Sequence, residues 1–146
     1  MMTQRRPKIL IIDDDPDFVE ATRVVLESGG YQAITAYDGK AGLMKVRDER
    51  PDLVILDIIM PEEDGFKVCE ELKADPKLAE IPVIVLTSLS ERWSEVTLSV
   101  TQGLKLEAED YIDKPVEPEE LLQRVKARLR GPSGSPEGKE GEDAGL

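Results

Sequence analysis

The sequence predicts an α/β protein, a doubly wound parallel sheet of five strands with helices on both faces. Three observations predict it. Strand-like and helix-like stretches alternate five times along the chain, which is the order a parallel sheet needs, because each parallel pairing requires a crossover. Leu53 to Leu56 and Ile81 to Leu86 are continuous apolar runs, as expected of strands covered on both faces. Acidic or hydroxyl residues stand where these runs stop, and open α/β sheets do their chemistry at the carboxyl ends of their strands.

Lys8 to Ile12 reads as the first buried strand and runs into Asp13-Asp14-Asp15. Asp15 suits a helix N-cap and Pro16 the first helical position, where a missing N–H costs little. Phe18, Ala21 and Val25 follow at helical spacing and are expected to face the core until Gly29-Gly30 stops the helix. Tyr31 to Tyr37 reads as a second, shorter strand. Asp38-Gly39 turns into a helix carrying Ala41, Met44 and Val46, which Arg50-Pro51 ends. The third strand, Leu53 to Leu56, stops at Asp57, and Pro61 with Asp64-Gly65 closes the loop beyond it. Gly65 to Ala74 reads as a helix with Phe66, Cys69 and Leu72 on one side, broken by Asp75-Pro76. Ile81 to Leu86 is the fourth strand and ends in Thr87-Ser88. Glu91 to about Leu106 reads as the fourth helix, with Trp93 packing near its start. Tyr111-Ile112 is a short fifth strand ending at Asp113-Lys114-Pro115. Pro118 opens the fifth helix, with Leu122, Val125 and Leu129 inward.

Residues 1–7 read as an N-terminal extension and 8–130 as one domain, with no second domain or solenoid repeat. From Gly131 the chain turns to Gly, Pro, Ser and acidic residues with almost nothing to bury, so 131–146 are expected to be a disordered acidic tail.

Composition narrows the function. With 146 residues and 40% hydrophobic content the chain can bury a real core. Its net charge of −12, from 31 acidic against 19 basic side chains, repels nucleic acid and argues against direct DNA binding by this chain alone. No stretch is long and apolar enough to span a membrane, and the first residues lack the apolar segment of a secretion signal. The single Cys69 cannot form an internal disulfide and is expected in the core, which fits a cytoplasmic setting. There is no histidine, which excludes histidine acid–base catalysis, histidine metal ligation and a phosphohistidine on this chain.

If the first and third strands are neighbours, Asp13, Asp14 and Asp57 converge. Clustered carboxylates repel, and a divalent cation relieves the repulsion; an oxygen-only donor set favours Mg²⁺ or Mn²⁺ over zinc. Lys114 supplies a compact positive charge that can pair with Asp57 and later with a phosphoryl oxygen, and Thr87 offers a hydroxyl donor. Phosphoryl transfer needs mostly positioning and charge neutralisation, and an aspartate can carry the group covalently. Asp57 is therefore the candidate nucleophile. Singly, each residue has a plainer reading: Asp13 and Asp14 as carboxylates at a helix start, Thr87 as a strand former, Lys114 as a solvated charge, Tyr111 as ordinary half-buried packing. The set is what points to chemistry.

The succession Ile9-Leu10-Ile11-Ile12-Asp13-Asp14-Asp15, then Leu53-Val54-Ile55-Leu56-Asp57-Ile58-Ile59-Met60-Pro61 with Asp64-Gly65, then Val83-Ile84-Val85-Leu86-Thr87-Ser88, then Asp110-Tyr111-Ile112-Asp113-Lys114-Pro115 resembles the receiver domain of two-component response regulators over about Lys8 to Arg130. The resemblance implies a flavodoxin-like fold with strand order 2-1-3-4-5. It implies that Asp57 accepts a phosphoryl group from the phosphohistidine of a sensor histidine kinase or histidine phosphotransfer protein. Asp14 corresponds to a direct Mg²⁺ ligand, Asp13 to one acting mainly through water, and the Ile59 carbonyl to the backbone ligand. Lys114 corresponds to the phosphate-contacting lysine, and Lys114-Pro115 to a bond that is often cis in the family. Thr87 and Tyr111 correspond to a switch pair whose movement repacks the face made by the fourth helix, fifth strand and fifth helix, through which a downstream protein, or a second copy in a homodimer, is bound. Ile59 and Leu89 resemble rate-tuning positions; neither can orient water, so slow self-dephosphorylation is expected. Two departures lie in the output face: the Thr87 to Lys114 stretch is longer than usual, and Glu107-Ala108-Glu109-Asp110-Tyr111 replaces Gly-Ala-Asp-Asp-Tyr. The implied function is a single-domain signalling module rather than a turnover enzyme.

Two other classes fit less well. A phosphatase resembling the haloacid dehalogenase superfamily would use Asp13 as nucleophile and Asp15 as acid/base. It needs a further carboxylate pair after Lys114 and leaves Asp57 without a task. A flavin-carrying electron protein would need a Ser/Thr/Gly-rich phosphate loop where Asp13 to Asp15 stand.

Overall fold

The computed structural model describes residues 6–58, 64–87 and 108–130. In chain order these form β1 (Lys8–Ile12), α1 (Pro16–Ser28), β2 (Gln32–Ala36), α2 (Gly39–Glu49), β3 (Leu53–Leu56), α3 (Asp64–Ala74), β4 (Val83–Thr87), β5 (Asp110–Asp113) and a C-terminal helix, Pro118–Arg130. The five strands make one sheet in the order β2-β1-β3-β4-β5, with every neighbouring pair parallel. The expected fourth helix with Trp93, the residues Ile59 to Pro61, Leu89 and the acidic tail lie outside the described residues.

Alternation along the strands explains why both faces are covered. Successive side chains of a strand point to opposite faces. Leu10 and Ile12, Val54 and Leu56, and Val83 and Val85 therefore pack on one face against Val46 of α2 and Phe66, Cys69 and Leu72 of α3. Ile9 and Ile11, Leu53 and Ile55, and Ile84 and Leu86 pack on the other against Val19 and Leu26 of α1 and Leu121 and Val125 of the C-terminal helix. Both sets are apolar, which is why β1, β3 and β4 read as continuous runs.

The helix ends follow local chemistry. The Asp15 carboxylate accepts from the N–H groups of Asp17 and Phe18, with Pro16 opening α1. Asp38 caps α2 by accepting from Ala41 N–H at 2.7 Å. Arg50, at φ 51°, ends α2 in the left-handed region.

Four details differ from the expected pattern. The fully buried row of α1 is Val19, Thr22 and Leu26; Phe18 and Val25 flank it half-buried, and Ala21 faces solvent. The helix carries apolar residues on more than one stripe, so spacing alone left its phase one residue off. Met44 of α2 is 56% exposed, and Gly42 stands at the sheet in its place, where an added Cβ would fall 2.5 Å from Ile12 Cδ1. In the C-terminal helix Leu121 and Val125 are the buried pair, with Leu122 and Leu129 at the margin. Tyr31, Tyr37 and Ile81 lie just outside the strands they were assigned to.

Candidate functional site

The register of the sheet brings the acidic residues together. Ile12 of β1 pairs with Leu56 of β3, so Asp13 and Asp57 leave the sheet side by side. The ladder continues one step beyond both strands: Asp57 N–H donates to the Ile12 carbonyl at 3.0 Å, and Asp13 N–H donates to the Ala36 carbonyl at 3.1 Å. Both carboxylates are thus placed by backbone hydrogen bonds on rigid elements.

The three consecutive aspartates separate into three tasks. Asp13 turns inward and is 1% exposed; its Oδ1 accepts from Asp15 N–H at 3.0 Å. Asp14 is exposed. Asp15 is spent on the cap of α1. Oxygens of Asp13, Asp14 and Asp57 all lie within 4.8 Å of one another, with Asp57 only 5% exposed. Burial first, and then the Asp57 charge, push the Asp13 carboxyl up to about 6, against the lowering pull of Lys114. A cluster of carboxylate oxygens that resists full ionisation and opens to solvent at Asp14 fits a hard divalent cation, and its all-oxygen donors suit Mg²⁺ or Mn²⁺.

Lys114 follows β5 and reaches across the strand ends. Its Nζ donates to Asp13 Oδ2 at 2.9 Å and stands 3.8 Å from Asp57 Oδ2. The expected ion pair with Asp57 is present, and the shorter contact is with Asp13. The Lys114–Pro115 peptide bond is cis, as the resemblance implies.

Thr87 ends β4 in register with Asp113, which puts its backbone at the same edge of the sheet; its side chain and Ile59 lie outside what is described. Tyr111 is 46% exposed, and its hydroxyl accepts from Ala108 N–H at 3.2 Å. Asp15, the acid/base of the phosphatase alternative, faces its own helix instead of Asp13.

Sequence reasoning missed three contributors. The Phe18 ring lies beneath the Lys114 ammonium, 4.0 Å from Nζ to the centroid. Gly65 brings the start of α3 against the site: a Cβ there would fall 2.3 Å from Ile58 Cα and 2.4 Å from the Asp57 carbonyl oxygen. Asp64-Gly65 was read as a loop closure, so the signal was present, but the contact was not. Farther off, Lys73 Nζ donates to both Glu109 oxygens, at 3.0 and 2.9 Å, and to the carbonyls of Ala79 and Ile81. Glu109 Oε1 in turn accepts from Val83 N–H at 2.7 Å, so the glutamate that departs from the family pattern ties β5 to β4.

Comparison with known proteins agrees with this geometry. A family model described as the response regulator receiver domain matches residues 9–126. The DNA-binding dual master transcriptional regulator RpaA of Synechocystis is 42% identical over 124 residues, covering 85% of this chain and 49% of that protein. The DNA-binding response regulator MtrA of Mycolicibacterium smegmatis is 40% identical, covering 88% of this chain and 53% of its own length. The chain thus spans about half the length of the curated relatives it matches. Among solved structures, the signal receiver domain of a signal transduction histidine kinase from Syntrophus aciditrophicus superposes with a TM-score of 0.75 at 36% identity, covering 96% of this chain and 98% of that one. The response regulator TrrA of Thermotoga maritima, solved in complex with Mg²⁺-BeF, has a TM-score of 0.67 at 33% identity, covering 83% of this chain and 97% of that one.

Proposed function

The chain belongs to the response regulator receiver-domain family, and from that premise we propose that it is a phosphorylation-switched signalling module whose phosphoacceptor is Asp57. One observation carries the reading: two buried carboxylates and an exposed third meet within 4.8 Å at the ends of β1 and β3, with the Lys114 ammonium against them. An Asp57 oxygen attacks the phosphorus of a partner's phosphohistidine. The P–N bond breaks, its electron pair leaves with the imidazole, and an acyl phosphate remains on Asp57. Lys114 exchanges its hold on Asp13 for a phosphoryl oxygen, and the Thr87 hydroxyl donates to another. Asp14, Asp57 and the Ile59 carbonyl, with Asp13 through water, would hold Mg²⁺, which supplies charge neutralisation for the phosphoryl oxygens. TrrA's complex with Mg²⁺-BeF supports that assignment by likeness.

The outward Tyr111, with its hydroxyl on Ala108 N–H, is read as the resting position of the switch. Turning it inward would repack the face around β5 and the C-terminal helix, to which a downstream protein or a second copy binds. The donor is a sensor histidine kinase or a histidine phosphotransfer protein. The protein is not a turnover enzyme; it assists only its own phosphorylation and slow dephosphorylation. Residues 8–130 would form the receiver, flanked by the short extension and the acidic tail, in the cytoplasm. RpaA and MtrA are described as DNA-binding; at −12, this chain is not expected to touch nucleic acid itself.

Acetyl phosphate with Mg²⁺, followed by mapping of the modified residue, tests the proposal. Label on Asp57 that Asp57→Asn abolishes is the expected outcome. Label on Asp13, or labelling of Asp57→Asn at an unchanged rate, sinks it.

A further inference from the structure

We infer that Phe18 is a positioning residue for phosphoryl transfer, its ring face seating the Lys114 ammonium above the carboxylates; this rests on the proposed role of Asp57. Lys114 has three N–H donors and no acceptor. One donates to Asp13 Oδ2 at 2.9 Å, and Asp57 Oδ2 stands at 3.8 Å. On another side Nζ sits 4.0 Å from the centre of the Phe18 ring, within the range of a cation–π contact.

The seat is built by the fold. Asp15 and Pro16 fix the start of α1, and Asp15 Oδ1 accepts directly from Phe18 N–H at 3.3 Å, so the position of Phe18 is set by the same turn that presents Asp13 and Asp14. The ring packs half-buried against the core on the α1 face of the sheet. It therefore takes one flank of the ammonium out of water without competing for its protons. An aliphatic residue would fill similar space, but it would lack the negative ring face and offer the cation no attraction.

The consequence concerns the exchange of partners. When the phosphoryl group arrives, Lys114 must release Asp13 and reach an oxygen on Asp57. A lysine on a flexible four-carbon stem would lose rotamer freedom in doing so. The ring face holds the ammonium without using any of its three N–H donors, which leaves them free for the exchange. Phe18 thus acts through Lys114 and never touches the phosphoryl group.

The test uses the full chain with Mg²⁺ and acetyl phosphate. Phe18→Leu is expected to lower the maximal labelling rate by about 5- to 30-fold, with the concentration of acetyl phosphate at half-maximal rate little changed. Phe18→Tyr, which keeps the ring, is expected to stay within about 2-fold of wild type. The split between maximal rate and half-maximal concentration separates positioning from a merely structural role, and circular dichroism identifies a variant that fails to fold. The wild-type protein supplies a second reading that needs no variant: the Lys114 Hε resonances should lie upfield of their random-coil positions through the ring current. Random-coil shifts there, or Phe18→Leu labelling as fast as wild type, overturn the inference. A wild-type chain that takes no label on Asp57 sinks the phosphoacceptor reading instead, and the Hε shifts still decide whether the seat exists.

Discussion

Lys114 reaches back 101 residues to Asp13, donating to its Oδ2 at 2.9 Å, and the same ammonium stands 3.8 Å from Asp57. One ammonium therefore lies within 3.8 Å of two buried carboxylates. Much of the pH and metal behaviour expected of the domain follows from that crowding.

Without metal, the folded domain is expected to lose stability as pH rises through about 6. Asp13 is raised from 3.8 to about 6 by burial and then by Asp57. The folded state therefore holds a proton that the unfolded chain has already released, so stability falls with rising pH across that window. The loss is about 2–3 kcal/mol at most. Urea melts from pH 4 to pH 7 in chelator should show it, with most of the fall between pH 4 and 6; a rise in stability over that range refutes it.

Mg²⁺ should reverse this penalty. It requires ionised carboxylates, so its apparent affinity is expected to fall by up to about tenfold per pH unit below 6 as Asp13 protonates. Titrations at pH 5 and pH 7.5, following the melting temperature, check the slope. Asp13→Asn should raise the melting temperature in chelator and remove most of the gain from Mg²⁺.

Lys114→Met takes the ammonium away from Asp13 and Asp57. A loss of about 1–3 kcal/mol at pH 7.5 is expected in chelator, less than for a fully buried pair because Lys114 keeps some solvent contact. Mg²⁺ should restore part of it. Labelling by acetyl phosphate is expected to fall about 100-fold, as when a charge-stabilising donor is removed.

Gly65→Ala should damage the site from outside. Its Cβ would meet the Ile58 Cα at 2.3 Å and the Asp57 carbonyl oxygen at 2.4 Å, and backbone atoms cannot swing aside. A cost of about 1–3 kcal/mol is expected, together with weaker Mg²⁺ binding and slower labelling. An alanine variant with wild-type melting and labelling would show that α3 does not press on Asp57.

Lys73→Met separates stability from chemistry. Lys73 joins Glu109 to the carbonyls of Ala79 and Ile81, far from Asp57. About 1–2 kcal/mol should be lost. Faster hydrogen exchange at Val83 N–H, with an unchanged labelling rate, is the expected signature.

Much of this was legible because strands and their ends carry strong local signals. The runs of β1, β3 and β4 are apolar on both faces, and Asp13 and Asp57 stand one residue past their strands, so register alone joined them. The cap of α1 was readable in Asp15-Pro16. What escaped depends on distance or on phase. Nothing near Lys73 announces Glu109, 36 residues on. Nothing in the spacing of α1 distinguishes the Val19 row from the Phe18 row, and the ring under Lys114 was accordingly read as plain core. The close approach of α2 to the sheet escaped because it is made at Gly42, a residue with no hydropathy to read.

The 101-residue span has a consequence for how the molecule comes into being. Three strands can assemble once residue 56 has left the ribosome, which already sets Asp13 beside the place of Asp57. The amine arrives only when β5 docks. Until then the carboxylates at the ends of β1 and β3 lack the Lys114 ammonium, and the charge arrangement at the strand ends is complete only with the sheet.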